Sequence, residues 1–438
     1  MRTNWITRAT LAVGATWLTL SLQGTTLLKA ENWPSWRGPL GNGISTETDL
    51  ATSWSTTENV AWRVPLPGQA GATPVIWDDH IFLTSVDDDR LILICFGTDG
   101  EERWRRTVGV GDRVVRGDEG NMASPSPVTD GQHVWSFMGN GAILCCDFDG
   151  NEIWRSDLNE RFGPFDIAFG MSSTPVLHGE RLFFQFIHGD GDASTHEALV
   201  VSLDKKTGDE IWRSPRITGA HTENEHSYSS PILYDFGGLT YLVTHGADYT
   251  IAYDLESGEE RWRLGGLNPH DDPRRPYHPT LRFVATPAAA EGIIVVPTAK
   301  NGPIFAIRPD LKGNLTGSDE ALLWLRPDNT PDVPSPLILD DLVYLCRESG
   351  ILLCVERKTG EQVYMERTHD QRHRASPVYA DGKIYLSARD GRVTVVQPGR
   401  EFKILAVNDL GEDLSASPAI SKGTIYLRTF NALWAIRQ

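Results

Sequence analysis

The chain has 438 residues, of which 40% are hydrophobic and 23% charged, with a formal charge of −17. That is the composition of a folded globular protein, and its acidity excludes a nucleic-acid partner unless a strong basic patch exists; none is visible. Five cysteines, an odd number, argue against a disulfide framework.

From the N-terminus, residues 1–30 read as a secretory signal. Arg2 and Arg8 supply the positive end, Leu11 to Leu22 the apolar stretch, and Lys29-Ala30 the cleavage site before Glu31. The apolar run is too short to span a bilayer, and no cysteine near the junction offers a lipoprotein anchor. A periplasmic or secreted protein is therefore expected, and not an integral membrane one. Loss of Arg2, Arg8 and Lys29 moves the formal charge from −17 to −20. Residues 31–58 form an N-terminal extension, and 59–438 a single large unit.

That unit is organised by a repeat. A Ser/Thr-Pro-apolar signature recurs eight times, 41 to 56 residues apart, at Pro74, Pro127, Pro175, Pro231, Pro287, Pro336, Pro377 and Pro418. Each copy leads into short runs rich in Val, Ile, Leu, Tyr and Phe, bounded by Asp, Gly and Asn, such as Asp381 to Ala388 and the run from Arg392. This predicts four strands per unit and almost no helix.

The third predicted strand runs into a tight turn and a tryptophan. Asp204 to Trp212 is the fullest copy, Asp254 to Trp262 repeats it, and Trp104, Trp154 and Trp324 end shorter forms; Tyr364 takes the slot in the sixth unit. Glycine supplies the positive φ of such a turn, and the indole can pack on the adjoining unit. The eighth unit ends at Gln438 after its third strand, while the segment Asn59 to Val64, containing Trp62-Arg63, has the sequence of an orphan fourth strand. Pairing the two closes a ring with no exposed inner edge. The predicted fold is all-β: an eight-bladed β-propeller of four-stranded antiparallel blades, monomeric, closed by an N-terminal strand on the C-terminal blade.

The Asp-x-x-Thr-Gly-x-x-x-Trp pattern on a four-stranded repeat resembles the tryptophan-docking repeat of propellers of the pyrroloquinoline-quinone (PQQ) type. The resemblance covers about Asn59 to Gln438. It implies either a quinoprotein dehydrogenase, oxidising an alcohol or sugar with PQQ and calcium, or a non-catalytic, BamB-like exported scaffold that binds protein or polysaccharide partners in the cell envelope. The segment Trp33 to Pro39 looks like an extension found on exported bacterial members, and is expected to pack across a propeller face.

The scaffold reading is preferred, with no cofactor expected, because the Glu/Asn/Asp calcium shell, catalytic Asp and aromatic floor of the dehydrogenases do not map onto this chain. Cys145-Cys146 resembles a vicinal cysteine pair of those enzymes. In register, however, Cys145 falls in a small-residue slot of the third strand and Cys146 in the neighbouring apolar slot, so both are expected to be buried free thiols, as are Cys346 and Cys354.

Ligand-binding candidates are sought at the axial funnel, five residues before each repeat proline and next to those positions: Asn121, Glu225, His226, Arg282, Arg372, His373 and Asp413, with Arg374 alongside. Arginine forks there suit an anionic or polar ligand. His221, Glu223, Glu225 and His226 offer metal ligands within six residues, with a solvated loop as the alternative. His226, His278 and His373 with a metal offer a hydrolase or lyase reading. His270, Asp271, Asp272, Arg274, Arg275 and His278 extend the polar rim.

Overall fold

The structure, a computed structural model, describes residue 1 and residues 31–115, 120–188, 198–268 and 279–438. The signal segment and the rim residues His270, Asp271, Asp272, Arg274, Arg275 and His278 lie outside them. Eight antiparallel sheets follow one another along the chain, each a blade whose four strands run in sequence from the axis outward. Blades 1 to 7 span Val75–Val110, Val128–Asp157, Val176–Pro215, Ile232–Leu264, Ala288–Arg326, Leu337–Arg367 and Val378–Asp409. Blade 8 takes three strands from Ala419–Ile436 and its outer strand from Val60–Pro65, which pairs antiparallel with Ala432–Ile436. The ring closes as predicted. Among the described residues no helix is long and apolar enough to cross a membrane.

Second and third strands are buried on both faces because a neighbouring blade covers each side, so Leu91 to Phe96 and Leu352 to Val355 read as unbroken apolar runs. The docking tryptophans lock blade to blade. The indoles of Trp62, Trp104, Trp154, Trp212 and Trp324 donate to the carbonyls of Thr98, Phe148, Lys205, Leu255 and Arg357 on the following blade, at 2.8–3.0 Å. Each lies on the glycine of that blade's turn, where a Cβ would meet the ring at 3.0 Å or less. Trp262 differs. The facing turn of blade 5 has no such glycine, so the Tyr241 hydroxyl takes the Pro309 carbonyl at 2.7 Å and Trp262 meets the Tyr241 ring edge-on. A fifth strand, Gly313–Asn314, then pairs in parallel with the outer strand of blade 4.

At the axis, the Ser/Thr-Pro signature forms a belt. The amide of Thr73 donates to the Ser126 hydroxyl, Ser126 to Thr174, Thr174 to Ser230, and so on through Thr286, Ser335 and Ser376 to Ser417, seven bonds of 2.9–3.1 Å. The eighth link is not made, and the Thr73 hydroxyl is buried without a partner. The following proline brings no N–H to this crowded hub. The innermost strand starts directly after that proline, so the positions five residues before it lie on the irregular approach to the strand.

The extension crosses one face of the disc, as expected. Trp33 bridges to Ile76 on blade 1, the Thr129 amide of blade 2 donates to the Pro34 carbonyl, and Ile44 bridges to Tyr379 on blade 7. Arg37, fully buried, donates to the carbonyls of Asn42 and of Pro336 on blade 6, and burial pushes its pKa down to about 10. Leu50 and Trp54 then tie down to Asp381 and Asn408 of blade 7, whose docking slot holds only Ala406.

Candidate functional site

The axial channel is a well of about 290 Å³ lined from all eight blades. Its floor is the hydroxyl belt with Trp36, whose indole lines both this well and the cavity on the far side of the belt. Among the described residues the charged groups of the lining lie on the side that precedes the belt: Arg282 entering blade 5, Asp332 entering blade 6, Arg372 and Arg374 entering blade 7, and Glu348 in a hairpin turn of blade 6. The well therefore opens on one face and is backed by the extension on the other.

The arginines are held in place. Arg282 pairs with Glu223 at 2.7 Å and its guanidinium lies 4.5 Å from the Phe169 ring centre. Arg372 and Arg374 share Glu348, at 3.1 and 3.5 Å. Planar donor forks fixed in this way suit a carboxylate, a sugar hydroxyl or a peptide carbonyl.

Of the residues picked from sequence, Arg282 and Arg372 line the well, together with the flanking Arg374. The others do not. Asn121 is buried in the wall, donating to the Gln69 carbonyl at 2.6 Å and accepting from the Ala123 amide. His373 is fully buried, its Nδ1 3.0 Å from the Gln371 carbonyl, and burial lowers its pKa to about 4. Asp413 is exposed outside the well, where its carbonyl accepts from the Phe430 amide. Glu225 and His226 end a short 3-10 turn, Thr222–Glu225, away from the lining. His221 is exposed, and Glu223 reaches Arg282 rather than a metal array. Among the described residues no three His, Cys, Asp or Glu side chains gather as metal ligands.

Sequence reasoning missed Tyr228, Ser124, Ser172, Ser415 and Val284. All stand two residues before the belt position, and that register yields a lining residue in every blade, from Gly71 to Ser415. The residue two before the belt therefore marks the well, whereas a second step of two reaches it only at Arg282 and Arg372, because the approach is not regularly extended that far back. Glu348, in a hairpin turn, follows no such register.

Cys145 and Cys146 lie in the third strand of blade 2, opposite Trp154 and Glu152, and face different inter-blade clusters. All five thiols are free and buried; burial raises Cys146 to about 11 and the Cys145 thiol far above its ordinary range. The native protein is therefore expected to show no reaction with an aromatic disulfide reagent at pH 8, and five thiols per chain after denaturation. A thiol that reacts at once in the native state would contradict this packing.

A protein-family model described as outer membrane protein assembly factor BamB, of the PQQ-repeat type, matches residues 92–364 and again 196–438. No curated protein matches the chain. Among solved structures, BamB from Moraxella catarrhalis superposes with a TM-score of 0.59 at 13% identity, covering 86% of this chain and 97% of that one. A quinohemoprotein alcohol dehydrogenase from Comamonas testosteroni gives 0.67 at 11% identity, with 92% and 80% covered. The computationally designed Ika8 protein gives 0.57 at 13%, with 85% and 98% covered. These identities speak for the fold alone. The family match is broader evidence, because it spans most of the chain and falls on the repeats whose docking and closure the structure displays: the protein belongs to the PQQ-repeat propeller family described as outer membrane protein assembly factor BamB.

Proposed function

We propose that this propeller is an exported, non-catalytic scaffold of the cell envelope that holds a protein or polysaccharide partner through the open face of its axial well. The observation that carries this reading is the well itself: one-sided, floored by hydroxyls already committed to a structural belt, and edged by three arginines fixed by carboxylates and an aromatic ring. Such a site offers directed donors for binding. The imidazoles of His188, His245 and His373, whose pKa values burial lowers, lie outside the lining, which argues against their doing acid–base chemistry there.

The lining also fits a calcium-bound quinone poorly. A hard cation asks for several oxygen ligands, and among the described residues the carboxylates of the lining are Glu348, engaged by two guanidinium groups, and Asp332, which accepts from the Lys300 amide. Trp36 does give the floor one aromatic surface beside the hydroxyls, so the poor fit rests on the carboxylates. Cys145 and Cys146 stand in a blade interior.

Two measurements test the proposal. Titration with PQQ and calcium, followed by absorbance, should give no saturable binding; stoichiometric uptake would replace the scaffold with a quinoprotein. Affinity capture from envelope extracts should yield a partner whose recovery falls at least about tenfold with Arg372→Glu/Arg374→Glu. A partner held equally well by the variant would move the binding surface away from the well.

A further inference from the structure

The face covered by the extension carries a second surface, independent of the axial well. In each blade the residue two after the repeat proline has its backbone on the inner edge of the innermost strand. On blade 1, Ile76 exchanges both backbone hydrogen bonds with Trp33 at 2.8 Å; on blade 7, the Tyr379 amide donates to Gly43 and its carbonyl accepts from Ser45; on blade 2, the Thr129 amide donates to Pro34. The extension thus supplies extended segments that satisfy three inner edges.

On blades 3, 4 and 5 the equivalent residues are Leu177, Leu233 and Ala289. Each hairpin closes through a two-residue turn at a bonded pair, His178↔Arg181, Phe236↔Leu239 and Ala290↔Ile293. Alternation along the ladder then directs the N–H and C=O of Leu177, Leu233 and Ala289 away from their own hairpins. Among the described residues no backbone group meets them. All three are half-buried, and all three line one cavity of about 360 Å³. Its other walls include Trp36, Pro39 and Leu40 of the extension and the apolar strand residues Val176 and Ile232, with polar groups such as His178 and Asp235 among the rest.

We propose that this groove binds an extended peptide segment of a partner protein by strand addition, continuing around blades 3 to 5 the pairing that the extension already makes on blades 1, 2 and 7. Unpaired edge groups beside apolar pockets are what such recognition uses: main-chain bonds hold the peptide and alternate side chains select it. The pocket chemistry calls for apolar side chains at alternate positions. The chain's charge of −17 and the exposed Asp235 at the groove edge favour a neutral or basic peptide over an acidic one.

The test selects displayed random linear peptides on the full-length chain and measures the binding of the enriched sequences. Enriched peptides should alternate apolar and polar residues and slow amide hydrogen exchange at Leu177, Leu233 and Ala289, all of which should exchange freely beforehand. Leu233→Pro removes one edge donor without touching the ladder, and should weaken binding about tenfold. Leu177→Lys, which sets a charge in the groove and keeps the backbone, should do the same and serves if the proline variant misfolds. Arg372→Glu/Arg374→Glu should leave peptide binding unchanged, separating this site from the axial one. The proposal fails if no alternating peptide is enriched, if both groove variants bind as the parent does, or if the three amides are already protected without peptide.

Discussion

Trp212→Ala is expected to destabilise the propeller by about 3–5 kcal/mol, the cost of emptying a buried aromatic site. Its indole donates to the Leu255 carbonyl at 3.0 Å and packs at 5.9 Å from the Phe183 ring. Truncation removes that packing and one of the two donors to the Leu255 carbonyl, which keeps the Arg181 guanidinium at 2.6 Å, so the cavity term dominates. The partner in the lock is Gly258. It sits at φ +72°, and a Cβ there would stand 2.6 Å from the indole. Gly258→Ala therefore combines about 1–2 kcal/mol of left-handed backbone cost with a collision that displaces the ring. Because the tightest contacts are with the indole and, of the three nearest atoms, only the Ser214 hydroxyl, at 2.9 Å, would remain, the double variant should be less unstable than the two single effects combined, by about 1 kcal/mol or more. Urea unfolding of the four proteins measures this cycle. Strict additivity would mean that the tryptophan and the turn glycine do not act as a pair, contrary to the docking geometry.

The docking lock was legible because its two halves sit in one nine-residue pattern that repeats: a copy such as Asp204 to Trp212 carries the glycine that receives the preceding blade's tryptophan and the tryptophan that docks on the next blade's glycine. Closure was legible for a similar reason, since the orphan Trp62-Arg63 has the sequence of a strand that blade 8 lacks. The axial site was read only in part. His373 lies between Arg372 and Arg374, so a one-residue step separates a group facing the well from one buried in its wall, and an irregular approach sets that step. Phe283 makes the same point, stacking on His245 while Arg282 and Val284 face the well. Arg37 was not legible at all as a fastening, because its partner at Pro336 is 299 residues away and no local pattern links them. The belt shows the intermediate case. Its eight signatures stood out in the sequence, but their hydrogen bonds join neighbouring blades 41 to 56 residues apart, so their purpose emerged only with the ring.

Stability should fall steeply as the pH drops from about 6.5 to about 4, and buried imidazoles are the cause. His188, His245 and His373 are each 5% exposed or less, and burial lowers their pKa values to about 4, 3 and 4. His245 lies flat on Phe283, ring centres 4.6 Å apart, with its Nδ1 2.8 Å from the Thr250 hydroxyl, so there is no room for hydrating water around a cation. Above the unfolded value of about 6.5 these groups are neutral in both states and add no pH dependence. Below it the unfolded chain takes up protons that the native one refuses, at about 1.4 kcal/mol per pH unit for each imidazole. Three together give about 4 kcal/mol per pH unit, until the native groups themselves protonate. Carboxylates held low in the native state, such as Asp254 through the Ser257 amide, act at lower pH, since their unfolded values lie near 4. The window between 6.5 and 4.5 thus belongs to histidine. Urea midpoints measured across it should fall along this slope, and removing one imidazole, as in His188→Gln, should cut the slope by about a third. Slopes that stay the same in His188→Gln, His245→Asn and His373→Gln would assign the acid sensitivity to other groups.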